Sequence, residues 1–115
     1  MKGSQVYLSH ILDEIELIKS MTKDLRYEDF VEDKAKEHTI TRSLEIIGEA
    51  SKNISEHLKQ KHPEVPWKFM AGLRDKIVHG YFSINYDIVW DVIIHKMPEL
   101  EPKIKAILDD VSQDS

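Results

Sequence analysis

Val6, Leu8, Ile11, Leu12, Ile15, Ile18 and Met21 recur at steps of three and four. Steps of that size gather side chains on one face of an α-helix, whereas a half-buried strand needs steps of two. The pattern predicts an amphipathic helix over roughly residues 5–23, with Asp13, Glu14, Glu16 and Lys19 turned to water. The same period returns in Ile40, Leu44, Ile47, Ala50, Ile54 and Leu58, within a segment expected to be helical from about Phe30 to Lys61. Thirty helical residues would span roughly 45 Å at about 1.5 Å each. That is long for a chain of 115 residues, so a kink or break is expected near Glu37–Thr41. Gly48 lies inside this stripe. A mid-helix glycine costs about 1 kcal/mol against alanine, and the usual return is close approach of another helix.

Prolines and glycines are few, four of each, and they punctuate the rest of the chain. Residues 24–30 read as a connector with at most one helical turn. Pro63 disfavours helix at His62, and Pro66 suits the first turn of a third helix running to about His79. Gly80 is placed to end that helix in a left-handed turn. Tyr81–Tyr86 is expected as a short loop. A fourth helix starts near Asp87 with Ile88, Val89, Val92, Ile93 and Met97 as its core face, and Pro98 and Pro102 should break or restart it. Leu100, Ile104, Ile107 and Leu108 make a last amphipathic piece, and the polar tail from about 110 to 115 is expected to fray. Four to five helices without a strand run imply an all-α fold, an up-down bundle forming a single domain over residues 1–115.

Composition narrows the function. Apolar residues make up 41% and charged residues 32%, a balance that fits a globular chain rather than a disordered one. The absence of cysteine excludes disulfides and thiolate zinc sites. No apolar run approaches the roughly 18 residues that span a bilayer. Acidic residues interrupt the first helix where a signal peptide would be apolar, so no membrane association and a cytoplasmic location are expected. The net charge of −5 argues against a broad nucleic-acid surface but leaves room for a small local one.

The stretch from Gly72 to Phe82 places Arg74, Asp75, His79 and Tyr81 around a predicted helix end. A guanidinium pairs two phosphate oxygens at once. A histidine side chain, with an unperturbed pKa of about 6.5, takes and returns a proton near neutral pH. These are tools for phosphodiester chemistry. The same residues also admit a structural reading. An arginine and a histidine near a helix C-terminus complement its dipole, and a tyrosine after glycine can pack a loop. Residues five apart are turned about 140° on an ideal helix, so Arg74 and His79 converge only if His79 sits in a frayed last turn.

The wider sequence resembles the HepT family, HEPN-domain toxins encoded beside minimal nucleotidyltransferase (MNT) antitoxins. Arg74, His79 and Tyr81 match the family's R-x4-H-x-Y motif. Leu44–Ala50 preceded by Arg42, Pro63–Trp67, and Val89-Trp90 carry the likeness along nearly the whole chain. The resemblance implies a HEPN-like bundle and a metal-independent endoribonuclease with no cofactor. In such an enzyme the 2′-hydroxyl of an RNA, mRNA or tRNA, attacks the adjacent phosphorus. It implies His79 and Arg74 as catalytic residues and Asp75 in support. It further implies a homodimer whose two motifs share a cleft, and a cognate MNT nucleotidyltransferase that inactivates the toxin by AMP transfer to Tyr81. The alternative is a non-catalytic helical module that docks on a nucleotidyltransferase and presents substrate to it.

Other constellations carry less. None of His10, His38, His57, His62, His79 and His95 has a glutamate three residues before it, so the Glu-x-x-His pattern of di-iron bundles is missing. Glu45 and Glu49 share a helical face, and holding Arg42 or Arg74 suits them better than a metal. Lys59, Lys61 and His62 read as a solvated helix terminus. Trp67 and Trp90 sit on apolar stripes and are expected in the core or an interface.

Overall fold

The computed structural model describes residues 2–80 and 85–114. Among them there is no strand, and the bundle is built from four long helical runs with two short helices between them. Helix α1 (Lys2–Thr22) buries Leu8, Ile11, Ile15 and Ile18 completely. Its stripe is narrower than the sequence pattern, since Val6 remains 52% exposed while Leu12 and Met21 are half-buried. Asp24, with φ of 60°, turns the chain into α2 (Tyr27–Glu32).

The long segment is broken twice, and neither break falls at Glu37–Thr41. Asp33 makes the first. Its N–H donates to the Asp29 and Phe30 carbonyls of α2, while its carboxylate accepts the Lys36 N–H of α3 (Lys34–Lys52) at 3.0 Å. One residue therefore closes one helix and caps the next, a use to which a short carboxylate side chain is suited. Ser55 makes the second break, accepting the Leu58 N–H to cap α4 (Glu56–Lys61). Helix α5 (Trp67–Val78) comes next. Buried Trp67 bridges the turn before it by donating its indole N–H to the His62 carbonyl at 2.9 Å.

Asn85 caps α6 (Tyr86–Asp91). The chain then widens into a π-helical turn over Val92–Lys96, where the Met97 N–H donates back to the Val92 carbonyl, and continues as α7 (Met97–Asp114). The prolines thus do not break the helical run. Pro98 lacks an amide donor and its ring crowds the preceding turn. The widened turn directly before it absorbs that misfit, and Pro102 lies inside α7. Helix α7 extends to Asp114, with Val111 buried.

Helix α3 packs against both α1 and α5, and α1 also packs against α7. Ile40, Leu44 and Ile47 of α3 are fully buried between these neighbours, with Met70 and Leu73 of α5. Each such side chain contributes roughly 1.5–3 kcal/mol by leaving water. Phe30 packs edge to face on Tyr86 and at a tilt on Trp90. The Tyr86 hydroxyl accepts from Lys34 Nζ at 2.8 Å and donates to Glu37 at 3.2 Å. This cluster ties the start of α6 to α2 and α3. It also raises the pKa of Lys34, first through the Tyr86 bond and then through Glu37. Trp67 and Trp90 accordingly sit in the core and at its edge. No helix among the described residues is long and apolar enough to cross a membrane.

Candidate active site

Gly48 sets how near α5 comes to α3. A Cβ placed on Gly48 would lie 2.7 Å from the Arg74 backbone nitrogen, 3.1 Å from its Cβ and 3.3 Å from its Cα. Only a hydrogen fits there, so the two backbones meet at Arg74 itself. The close approach expected of a mid-helix glycine therefore occurs, and it occurs at the first motif residue.

The next residue of α3 completes the contact. Glu49 Oε1 forms an ion pair with Arg74 Nε. One turn earlier Glu45 pairs with Arg42, so the two glutamates hold the two arginines, in keeping with their shared helical face. Asp75 Oδ1 lies 3.3 Å from Lys52 Nζ and 4.0 Å from Arg74 Nη1. Glu49, Arg74, Asp75 and Lys52 thus alternate in sign along the α3–α5 seam. Lys52 does not stand out in the sequence. Its position three after Glu49, hence on nearly the same helical face, is the one signal available there.

His79 is the C-cap of α5, with φ of −84° and ψ of 2°, and is exposed. Its N–H donates to the Asp75 carbonyl at 3.0 Å, and the Gly80 N–H donates to Ile77 at 3.0 Å. Gly80 takes the left-handed conformation with φ of 78°. His79 therefore closes the helix as its C-cap, about 7.5 Å beyond Arg74 along the axis by helical rise. The fold brings Arg74 and Asp75 together with Glu49 and Lys52, and ties His79 to Asp75 through the backbone. Tyr81 lies outside the described residues.

The site faces solvent. Side-chain exposure is 41% for Arg74, 49% for Glu49, 58% for Asp75 and 39% for Lys52. At the basic end of α4, Lys59 faces Glu56, Lys61 faces Asp110, and His62 Nδ1 lies 3.2 Å from Glu64, so both lysines are offset by neighbouring acids.

The family model described as "Ribonuclease HepT-like" matches residues 11–107, which include Arg74, Asp75, His79 and Tyr81. This chain belongs to the HepT-like ribonuclease family. The HepT-like chain is 48% identical over 108 residues to TTE0752 of Caldanaerobacter subterraneus subsp. tengcongensis, a protein provisionally named an RNase, covering 94% of this chain and 96% of that one. It is 44% identical over 110 residues to MJ0127 of Methanocaldococcus jannaschii, also provisionally named an RNase, covering 96% and 91%. It is 43% identical over 101 residues to the "Probable ribonuclease HepT" of Thermococcus cleftensis, covering 88% and 92%. No solved structure matches it. Family membership and the all-α bundle thus agree with the reading of the sequence.

Proposed function

We propose that this HepT-like chain, as a single HEPN domain, is the endoribonuclease toxin of a toxin–antitoxin pair and cleaves RNA without a metal ion. The observation that carries the reading is the placement of Arg74: its backbone is locked against Gly48 while its guanidinium stays accessible, on the same helix that ends at exposed His79. A fixed cation and a proton-exchanging group are what phosphodiester transesterification needs.

In this mechanism the RNA's 2′-oxygen attacks the adjacent phosphorus as its proton passes to a base. The bond from phosphorus to the 5′-oxygen breaks as an acid protonates that oxygen. The products are a 2′,3′-cyclic phosphate and a 5′-hydroxyl. His79 handles one of the protons, and Arg74 offsets the charge that grows on the non-bridging oxygens. Asp75 supports the site from its place between the two, its carbonyl accepting the His79 amide N–H. A full cycle uses two proton-handling groups and one chain offers one motif, so the active form is a homodimer with two motifs in one cleft. A second set of cations there also answers the net charge of −5.

Inactivation belongs to a cognate MNT-type nucleotidyltransferase that transfers AMP from ATP to the hydroxyl of Tyr81 and releases pyrophosphate. Phosphate on Tyr81, two residues beyond His79, would compete with RNA for Arg74. Mass spectrometry of the chain co-expressed with that partner tests this step. A mass increase of one or more AMP units mapped to Tyr81 is expected, and an inactivated chain with unmodified Tyr81 would refute it. Cleavage of total RNA in EDTA, compared with Arg74→Ala and His79→Ala, tests the nuclease reading itself.

A further inference from the structure

Four charges of alternating sign on an exposed seam do little for stability, since surface ion pairs contribute only about 0–1 kcal/mol each. Their arrangement acts on Arg74 instead. A guanidinium has two faces for hydrogen bonding, the Nε side and the forked Nη edge, and phosphate is best held bidentately. The Glu49 carboxylate takes the Nε side. Asp75, one residue on, is the natural competitor for the fork. Its Oδ1 stands 4.0 Å from Arg74 Nη1, beyond hydrogen-bond length, and closer to Lys52 Nζ at 3.3 Å.

We infer that Glu49 is a positioning residue for catalysis, which holds Arg74 by Nε so that its Nη edge is presented to the scissile phosphate. Lys52 assists by drawing the Asp75 carboxylate away from that edge. This inference rests on the ribonuclease reading of the site. Gly48 and Glu49 act as adjacent parts of one device: the glycine fixes where the Arg74 backbone sits, and the glutamate fixes which way its side chain turns. A free arginine side chain samples many rotamers, and ordering it beforehand removes that cost from the transition state.

A carboxylate so close to the phosphate also repels RNA, so binding and turnover should respond in opposite senses. The experiment measures the initial rate of new 5′-hydroxyl ends against total RNA concentration, with purified unmodified protein in EDTA. Parent, Glu49→Ala, Glu49→Gln, Arg74→Ala, Arg74→Lys and the Glu49→Ala/Arg74→Lys pair are compared, each checked for folding by thermal melting. Glu49→Ala should lower kcat about tenfold, a fraction of what misplacing a reacting group costs, with KM unchanged or lower. Glu49→Gln, which keeps an acceptor for Nε–H, should recover part of kcat. In the Arg74→Lys background, where no Nε fork remains, Glu49→Ala should cost less than threefold, the mark of an effect carried through Arg74.

Parental kcat in Glu49→Ala, or an equal loss in the Arg74→Lys background, would overturn the inference while leaving the nuclease intact. If Glu49→Ala melts below the assay temperature, Glu49→Gln carries the comparison, and a raised KM at parental kcat refutes the inference. Parental cleavage by Arg74→Ala would instead remove the active-site reading and the inference with it.

Discussion

At the scale of single residues, Arg74 and His79 differ in how they are held. Arg74 is fixed by backbone contact and an ion pair, while His79 is the exposed C-cap of α5. Arg74→Ala should lower RNA cleavage by about 10² or more, the cost of losing a donor to a developing oxyanion. His79→Ala should lower it by about 10²–10⁴, the usual worth of general acid–base catalysis. Neither should shift the melting temperature much, because both side chains are partly or largely exposed, and a large drop in either melt would assign them to structure instead. Away from the site, Tyr27 donates to Asp87 at 2.6 Å, and this bond above all, with burial and the Asp87 charge, raises the phenol's pKa. A group whose pKa is raised by folding adds stability below its unfolded value and loses it as pH climbs through the folded value. The contribution of Tyr27 is therefore present at neutral pH and lost only in alkali. Asp87→Ala should bring the Tyr27 titration down toward the ordinary 10.0, and an unchanged alkaline tyrosinate absorption curve would show the bond is not formed in solution.

Helices reveal both what the sequence discloses and what it hides. The stripes of α1 and α3 are legible because burial of Ile, Leu and Ala at steps of three and four leaves no other solution. Ile47→Ala should therefore cost about 2–5 kcal/mol, measured by denaturant unfolding. The first break in the long segment falls several residues earlier than its length suggests. Length argues for a kink, but the deciding feature is chemical: the Asp33 carboxylate caps α3 and the Asp33 amide closes α2. Asp33→Ala should cost about 1 kcal/mol. The π turn before Pro98 is hidden as well, because proline signals a misfit in the hydrogen-bond ladder without saying whether the helix breaks or widens. Gly48 shows the reverse case, where a local cost in propensity points to a packing contact. Gly48→Ala should gain up to about 1 kcal/mol of helix propensity yet lose more, since its Cβ meets backbone at 2.7 Å. Lower stability together with weaker cleavage is expected. A more stable and fully active variant would mean that α5 moves away without consequence.

For the molecule as a whole, periodicity establishes the bundle and the motif points to the chemistry, but the joint between them appears only in three dimensions. Nothing in the linear order of Glu49 and Arg74, 25 residues apart, says that their side chains meet. That depends on α3 and α5 packing at a glycine. Lys52 escapes a sequence reading for the same reason, as its partner Asp75 lies on the other helix. The chain thus combines a buried core made by ordinary helix packing with a seam of exposed charges that stability does not require. The most direct measurement of the central claim is cleavage of total RNA by purified, unmodified protein in EDTA, beside folded Arg74→Ala and His79→Ala. Cleavage by the parent alone, leaving 5′-hydroxyl ends, is the expected result. Intact RNA with all three proteins folded and dimeric would contradict the enzyme reading, and a non-catalytic docking module would take its place.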